Sequence, residues 1–499
     1  MTRPGWSLAL VTGLLAAGVL AESLVPAGAS PPATGRTAAV VGAAAVCPDL
    51  RQSRGLTTRV SAGVALADDL PAGAAPGTLT AEPLRLAAGA RPTLLPVTRP
   101  GQVAVGLGAN VSGDAFVVRA EGPLAAGLEL EQISRGEIGS ERGLAGLRCG
   151  PPTTESWFVG GSSAVGDASL LVLVNSDDTP AIVDVTVWTG EGPVDPRPGL
   201  GLSVPPRSRA AIGLDQLAPD HALLALRVVA QRGRVAAALR QARFDGLTPG
   251  GVDWVPRAEP PTTQVVVPGL PRGPGRRVVL VTNPGADPTL VSLRLTEVDR
   301  QAVPAGLDAI VVPAGTTVAT DVTPWTNRTP AAVTVVSEGG PVLAGSFVYD
   351  AVGTSPVKDF GYGGSALPLS GPALLTDLVI DRPTESTLIL SAPDGDATVS
   401  VRPVRVLGVD GPLPVGRQVL VKAGRTVVVR LSTFLPAGAT GRLAVEVLPQ
   451  PGSGPVYAAR YLRERGDRGP LVTLLALQGA AQRVSVPAVR RDPMVGVTR

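Results

Sequence analysis

Beyond carboxylates, hydroxyls and arginines, this 499-residue chain offers little chemistry: one histidine, two lysines and two cysteines. His221 follows Asp220 at the start of an expected strand. With no second histidine, neither a metal site nor a Ser-His-Asp relay is well supplied, and a solvated loop histidine is the plainer reading. Asp177, Asp178, Asp287, Asp394 and Asp396 recur in one turn of successive segments. Calcium, which takes six to eight oxygen ligands, would suit such a cluster. Turns also select Asp, because its side chain bonds the local backbone. Turn chemistry is the expectation and calcium the alternative.

Four further features are weaker. Gly106-Leu107-Gly108-Ala109-Asn110-Val111 approaches a dinucleotide fingerprint, yet lacks the third Gly and any helix to receive a phosphate. Arg465-Gly466-Asp467 matches an adhesion tripeptide, a cheap match in an Arg- and Gly-rich chain. Asn110-Val111-Ser112 and Asn327-Arg328-Thr329 fit the glycosylation pattern, which would be irrelevant if the source were bacterial. Trp157, Trp188, Trp254 and Trp325 offer rings on which a sugar could stack. The net charge of +3 is small and its arginines are scattered, which argues against nucleic acid. No catalytic, cofactor or metal residues are assigned.

The elements that carry these residues repeat. Asn175, Asn283 and Ala392 lie in matching turns 108 and 109 residues apart. Val204-Pro205-Pro206-Arg207-Ser208 returns as Val312-Pro313-Ala314-Gly315-Thr316 and Val421-Lys422-Ala423-Gly424-Arg425. Leu217, Trp325 and Phe434 share one position, which makes them core plugs rather than ligand contacts. Gly233-Arg234-Val235 returns as Gly340-Pro341-Val342 and Gly454-Pro455-Val456. Such periods must be found before anything else.

Within a copy, Val183, Val185 and Val187 alternate with Asp184, Thr186 and Trp188, the period of a half-buried strand. Seven short strands in about 100 residues, with turn signals every 8–12, read as an immunoglobulin-like β-sandwich. The expected architecture is all-β, a tandem array after a signal sequence. Its boundaries are 1–29 for the signal, then units at 40–140, 141–246, 247–352 and 353–499. In the degenerate first unit, Leu86-Ala87-Ala88-Gly89 is matched to the Val312 segment. Gly-rich linkers are expected at Gly246–Val252 and Gly353–Gly364, and Val484–Val486 as a strand packed on the fourth unit.

The apolar run Trp6–Leu20 is too short to span a bilayer and precedes Ala27-Gly28-Ala29, so it reads as a cleaved signal peptide. An uncleaved anchor is the alternative. In an exported chain, Cys47 and Cys149 suggest one disulfide, against a reading as two unrelated buried thiols. Bonded, their Cα atoms should lie within about 4.4–6.8 Å.

Trp157-Phe158-Val159-Gly160-Gly161, the Leu173–Asp178 turn, the Val204 segment and the strand from Gly233 resemble a repeat of actinobacterial exported proteins. That family is a domain of unknown function, number 5719, and the resemblance runs over roughly 45–463. Cys47-Pro48 and Gly146-Leu147-Arg148-Cys149 resemble its paired cysteines. The resemblance implies extracytoplasmic placement and tandem β-domains, and carries no established activity or site.

The functional expectation is a non-enzymatic cell-envelope protein, secreted or membrane-tethered, acting as scaffold, spacer or binding surface. Its partner would be an envelope protein or glycan, with membrane contact only through an uncleaved anchor. The alternative is a glycan-binding module using Trp157 or Trp188, or a glycan hydrolase with two carboxylates in a junction cleft. Elsewhere, acidic side chains should lie exposed at turns or pair with arginine.

Overall fold

The computed structural model describes residues 36–50, 55–66, 76–86, 89–108, 114–350, 358–380, 384–435, 441–480 and 482–486. The signal-like segment 1–29 and the Asn110-Val111-Ser112 pattern lie outside them. The fold is all-β: among the described residues, helix is confined to Thr323–Thr326 and a few 3-10 turns. The chain divides into two compact units. In one, Met1–Ala39 with Arg483–Arg499, strand Arg36–Ala39 pairs antiparallel with Arg483–Val486. Val484–Val486, expected as a strand packed on the fourth repeat, takes Arg36–Ala39 as its ladder partner.

The other unit, Val40–Gln482, holds seven sheets that make up four pairs of layers in chain order, the first and fourth pairs sharing one eight-stranded sheet. In the first, Gln102–Leu107, Leu56–Val64, Leu128–Gly136 and β1 (Gly143–Cys149) form one layer. Gly42–Cys47, Phe116–Glu121, Thr78–Pro83 and Thr93–Leu94 form the other. Val60, Ala62, Leu79 and Val118 fill the space between. Cys47 and Cys149 join the two layers in a disulfide with Cα atoms 4.9 Å apart, inside the expected range.

The later pairs keep that order, and each ends in an equivalent strand: β2 (Thr248–Val255), β3 (Asp359–Gly364) and β4 (Gly469–Ala476). Although Trp188 is buried and breaks the alternation, the period-2 reading holds from Val183 to Val187: the valines are buried while Asp184 and Thr186 are half-buried. The repeated turn does too. Asn175 Oδ1 accepts from Asp177 N at 3.0 Å, and its Nδ2 donates to Thr179 O and Val204 O. Asn283 makes the same three bonds, to Gly285, Asp287 and Val312. Side-chain bonds to the local backbone of this kind hold the turn.

Strands β1 to β4 pack in a closed circuit, β1 on β2, β2 on β3, β3 on β4 and β4 on β1. One carboxylate joins all four. Asp253 on β2 accepts from Gly146 N of β1 at 3.2 Å, Tyr362 N of β3 at 2.9 Å and Thr473 Oγ1 of β4 at 2.9 Å. One layer away, Asp359 on β3 accepts from Leu144 N of β1 at 3.2 Å and Val472 N of β4 at 2.8 Å. Glycine makes the room: a Cβ on Gly251 would stand 2.2 Å from Asp359 Oδ1, and one on Gly146 would stand 2.9 Å from Thr473 Oγ1.

The sequence expectation of Gly-rich linkers is wrong at just this point. Thr248–Val255 and Asp359–Gly364 are central strands, whose glycines serve close approach rather than flexibility. The backbone ladders also give each central strand to the preceding sheet pair, so β1, β2 and β3 fall after the boundaries expected at 140, 246 and 352.

The repeated Val-Pro segment proves to be the joint between neighbours. Arg207, Gly315 and Gly424 all have positive φ, at 46, 65 and 67°, and so does Gly101 at 79°. Gly101 N bonds Val64 O as Gly424 N bonds Ala392 O, so Gly101, not Gly89, is the first copy's counterpart. Just after each turn, an edge strand meets the preceding sheet pair: Arg209 pairs with Asp49, Thr316 bridges to Thr189, and Thr426 N donates to Glu297 O at 2.8 Å. Around the circuit, Gln102 and Val103 of the first pair run parallel to Arg405 and Val406 of the fourth. Arg460 forms a fully buried ion pair with Glu131 there, and its Nη2 donates to Asp377 O at 3.0 Å. Buried apolar clusters span every junction: Val117 and Val172 share one, Leu226 and Phe360 another, Val348 and Ile389 a third, and Ile133 and Leu462 a fourth.

Removing Asp253 leaves two buried donors, Tyr362 N and Thr473 Oγ1, without an acceptor, at about 1–3 kcal/mol each, while Gly146 N keeps Thr473 Oγ1 at 3.0 Å. D253A should therefore lose about 2 kcal/mol or more in denaturant unfolding. D253N should recover only part, because its amide would set an N–H against Tyr362 N–H. A loss within about 0.5 kcal/mol, the range of an ordinary surface substitution, would contradict this role.

Candidate functional site

Three places gather chemistry-bearing groups. The first is the centre itself. Burial pushes the carboxyls of Asp253 and Asp359 well above their ordinary range, against the pull of the backbone and hydroxyl donors around them. Both are fully buried, and neither opens on the cavities below. They correct the expectation that acidic groups lie at turns or pair with arginine. Asp359 falls inside the expected linker Gly353–Gly364, and Asp253 directly follows the expected linker Gly246–Val252, so neither reads as part of a central strand in the sequence. The available signal was an acid among apolar neighbours, Val252-Asp253-Trp254-Val255.

The second place is a cavity of about 660 Å³ beyond the C-terminal ends of the central strands. Gly150 follows β1, Arg257 and Glu259 follow β2, Ser365 follows β3 and Gln478 follows β4. Glu259 is held in place by its backbone N–H on Ser365 Oγ at 2.9 Å and by Gln478 Nε2 on its carboxylate at 2.8 Å. Glu129 also lines the cavity, ion-paired with Arg148. Burial outweighs that arginine and holds the Glu129 carboxyl at about 7; burial likewise raises Glu259 and lowers Arg257. Two carboxylates of raised pKa thus share a junction cavity, each already engaged by a neighbour.

The third place is a cleft of about 1740 Å³ between the third and fourth sheet pairs. Trp325 from the short helix forms part of one wall, half-buried against the core of its own sheet pair. Its repeat partners Leu217 and Phe434 are buried, at 6% exposure each. The shared core position therefore holds for the pair, while Trp325 also shows a face to the cleft. Arg272, Arg328 and Arg430 line it exposed, and their guanidinium groups have no hydrogen bond or ion pair among the described residues.

Other residues singled out from sequence go to structural roles. Trp157 and Trp188 stack on each other at 5.6 Å, with Arg227 over Trp157, and only 7% and 8% of their surfaces are exposed. Their rings are not open for sugar stacking as expected, because they fill the second core. Trp254 is buried as well. His221 is half-buried in a loop, held through its backbone by Ser163. Asp177 pairs with Arg234, Asp178 with Arg207, Asp394 with Arg294 and Asp396 with Lys422. No group of metal-ligating side chains occurs among the described residues. Arg465-Gly466-Asp467 forms a hairpin tip, and Asn327-Arg328-Thr329 a loop. Gly106-Leu107 ends a strand, and the rest of that motif from Ala109 lies outside the described residues.

This arrangement defines a disulfide-bearing, all-β protein whose repeats close on a shared centre. The chain belongs to the family described as Family of unknown function (DUF5719), whose model matches residues 105–408. That span takes in the second and third sheet pairs whole and parts of the first and fourth. No curated protein matches the chain.

The pH behaviour of Glu129 is testable. Its folded carboxyl lies near 7, above the ordinary 4.5, so its stabilising contribution is complete below about 4.5 and is lost as pH rises through 7. E129Q should flatten the fall in melting temperature across that window. An unchanged slope would show that Glu129 does not titrate there.

Proposed function

We propose that this chain is a non-enzymatic, extracytoplasmic protein of the cell envelope, built of four immunoglobulin-like β-sandwich units and acting as a rigid scaffold with a binding surface. The observation that carries the reading is the cleft between the third and fourth sheet pairs. Its walls come from elements fixed on both sides, and three of its arginines, Arg272, Arg328 and Arg430, are not spent on ion pairs among the described residues. Ligand pockets for small molecules run to roughly 300–1,000 Å³. A cleft of about 1740 Å³ suits a segment of a macromolecule better. The disulfide supports an oxidising compartment, as does the signal-like segment.

The cavity of Glu129 and Glu259 favours a second reading, a glycan hydrolase, in which those two carboxylates would be the acid and its partner. Hydrolysis of envelope glycan that disappears in E129Q and E259Q would replace the scaffold reading with this one.

The scaffold reading is tested by capture from native envelope with the mature protein and with a variant carrying R272E, R328E and R430E. Partners retained by the first and lost by the second are expected. Equal capture by both, or a protein found only in the cytoplasm, would refute it.

A further inference from the structure

The cleft contains an unfinished sheet. Strand Arg425–Arg430 is bonded on one side only, to Thr384–Ala392. Thr426 N donates away from that neighbour, to Glu297 O. Backbone donors alternate sides along a strand, so the N–H groups of Val428 and Arg430 point the same way as that of Thr426. Neither has a hydrogen-bond partner among the described residues, and both residues line the cleft.

Natural edge strands are usually blunted by charges, Pro or bulges. This one reads Arg-Thr-Val-Val-Val-Arg, with four β-branched residues in a row and Val428 40% exposed. The joint at Thr426 covers its start and leaves the remainder open. Around it the charges are unbalanced. Arg272, Arg328 and Arg430 are unpaired, whereas of the cleft carboxylates Glu297 is paired with Arg300 and Asp350 with Arg463. Asp299 and Glu385 are the remaining acids.

We propose that this edge is a docking site for an extended acidic segment of another polypeptide, which adds as a strand beside Arg425–Arg430. The inference rests on the scaffold reading and names the chemistry of its partner. A peptide backbone offers carbonyls at the spacing that the N–H groups of Val428 and Arg430 require. Its acidic side chains, on one face of the added strand, would meet the unpaired arginines. A glycan matches the charge but not the backbone register.

The test uses the mature protein and a fluorescent, capped peptide of alternating Glu and Val, about eight residues long. Controls are the same peptide with Lys in place of Glu, and an oligogalacturonate. V428P removes one outward N–H without breaking a ladder bond, which proline allows at an edge. It should weaken the acidic peptide about fivefold or more, the value of one such bond, with the unfolding midpoint unchanged. R272Q with R430Q should weaken it about tenfold at low salt and less at high salt, and that variant decides the matter where V428P fails to fold. Binding of the acidic peptide that neither variant changes would overturn the proposal. So would preference for the oligogalacturonate, or a dimer of the protein that V428P abolishes. If no peptide binds while envelope capture still depends on the three arginines, this inference fails and the scaffold reading stands.

Discussion

One buried carboxylate sets the terms for the rest of the molecule. Asp253 reaches a backbone N–H or hydroxyl on each of the three other central strands, although these lie up to 220 residues away in the chain. Burying an unpaired carboxylate is costly, and enough donors must converge to offset it. They converge only when β1, β3 and β4 are all in place. The interaction therefore rewards closure of the whole unit rather than folding of any one repeat. Gly146 and Gly361, opposite it, are small for the same reason: side chains there would meet Thr473 or Leu474.

Closure then fixes the joints. Each repeat turns into its edge strand through a residue of positive φ, glycine in three copies and Arg207 in the second. Arginine is unusual in that backbone region, and its side chain shows what it gains: ion pairs to Asp178 of its own repeat and Glu82 of the preceding one. The first and fourth pairs meet through a parallel strand contact and the ion pairs Arg460–Glu131, Arg59–Asp377 and Arg135–Glu464. The cleft follows from the same geometry, since the third joint engages Thr426 and leaves the rest of its edge strand open.

The local structure was largely legible in the sequence. Alternation at Val183 to Val187, the Asn175 and Asn283 turns, and the Leu217 position each have a local cause that a single chain displays. What was hidden is long-range. Glycine at 251 or 361 reads as linker punctuation, and only the opposing strand reveals that it clears space for a carboxylate. Asp253 and Asp359 carry no motif because their partners are mostly backbone N–H groups, which any residue supplies. Glu131 and Arg460 look like unrelated charges until the ends of the repeat array meet. The candidate site was legible only as a place, a junction, since the free edge and its arginines are assembled from two repeats.

The central claim is that Val40–Gln482 folds as one closed unit. Differential scanning calorimetry of the disulfide-intact protein tests it most directly. The account predicts a single transition for that unit, with calorimetric and van't Hoff enthalpies equal, lowered as a whole by D253A. Separate transitions for individual repeats, with only one of them shifted by D253A, would contradict it.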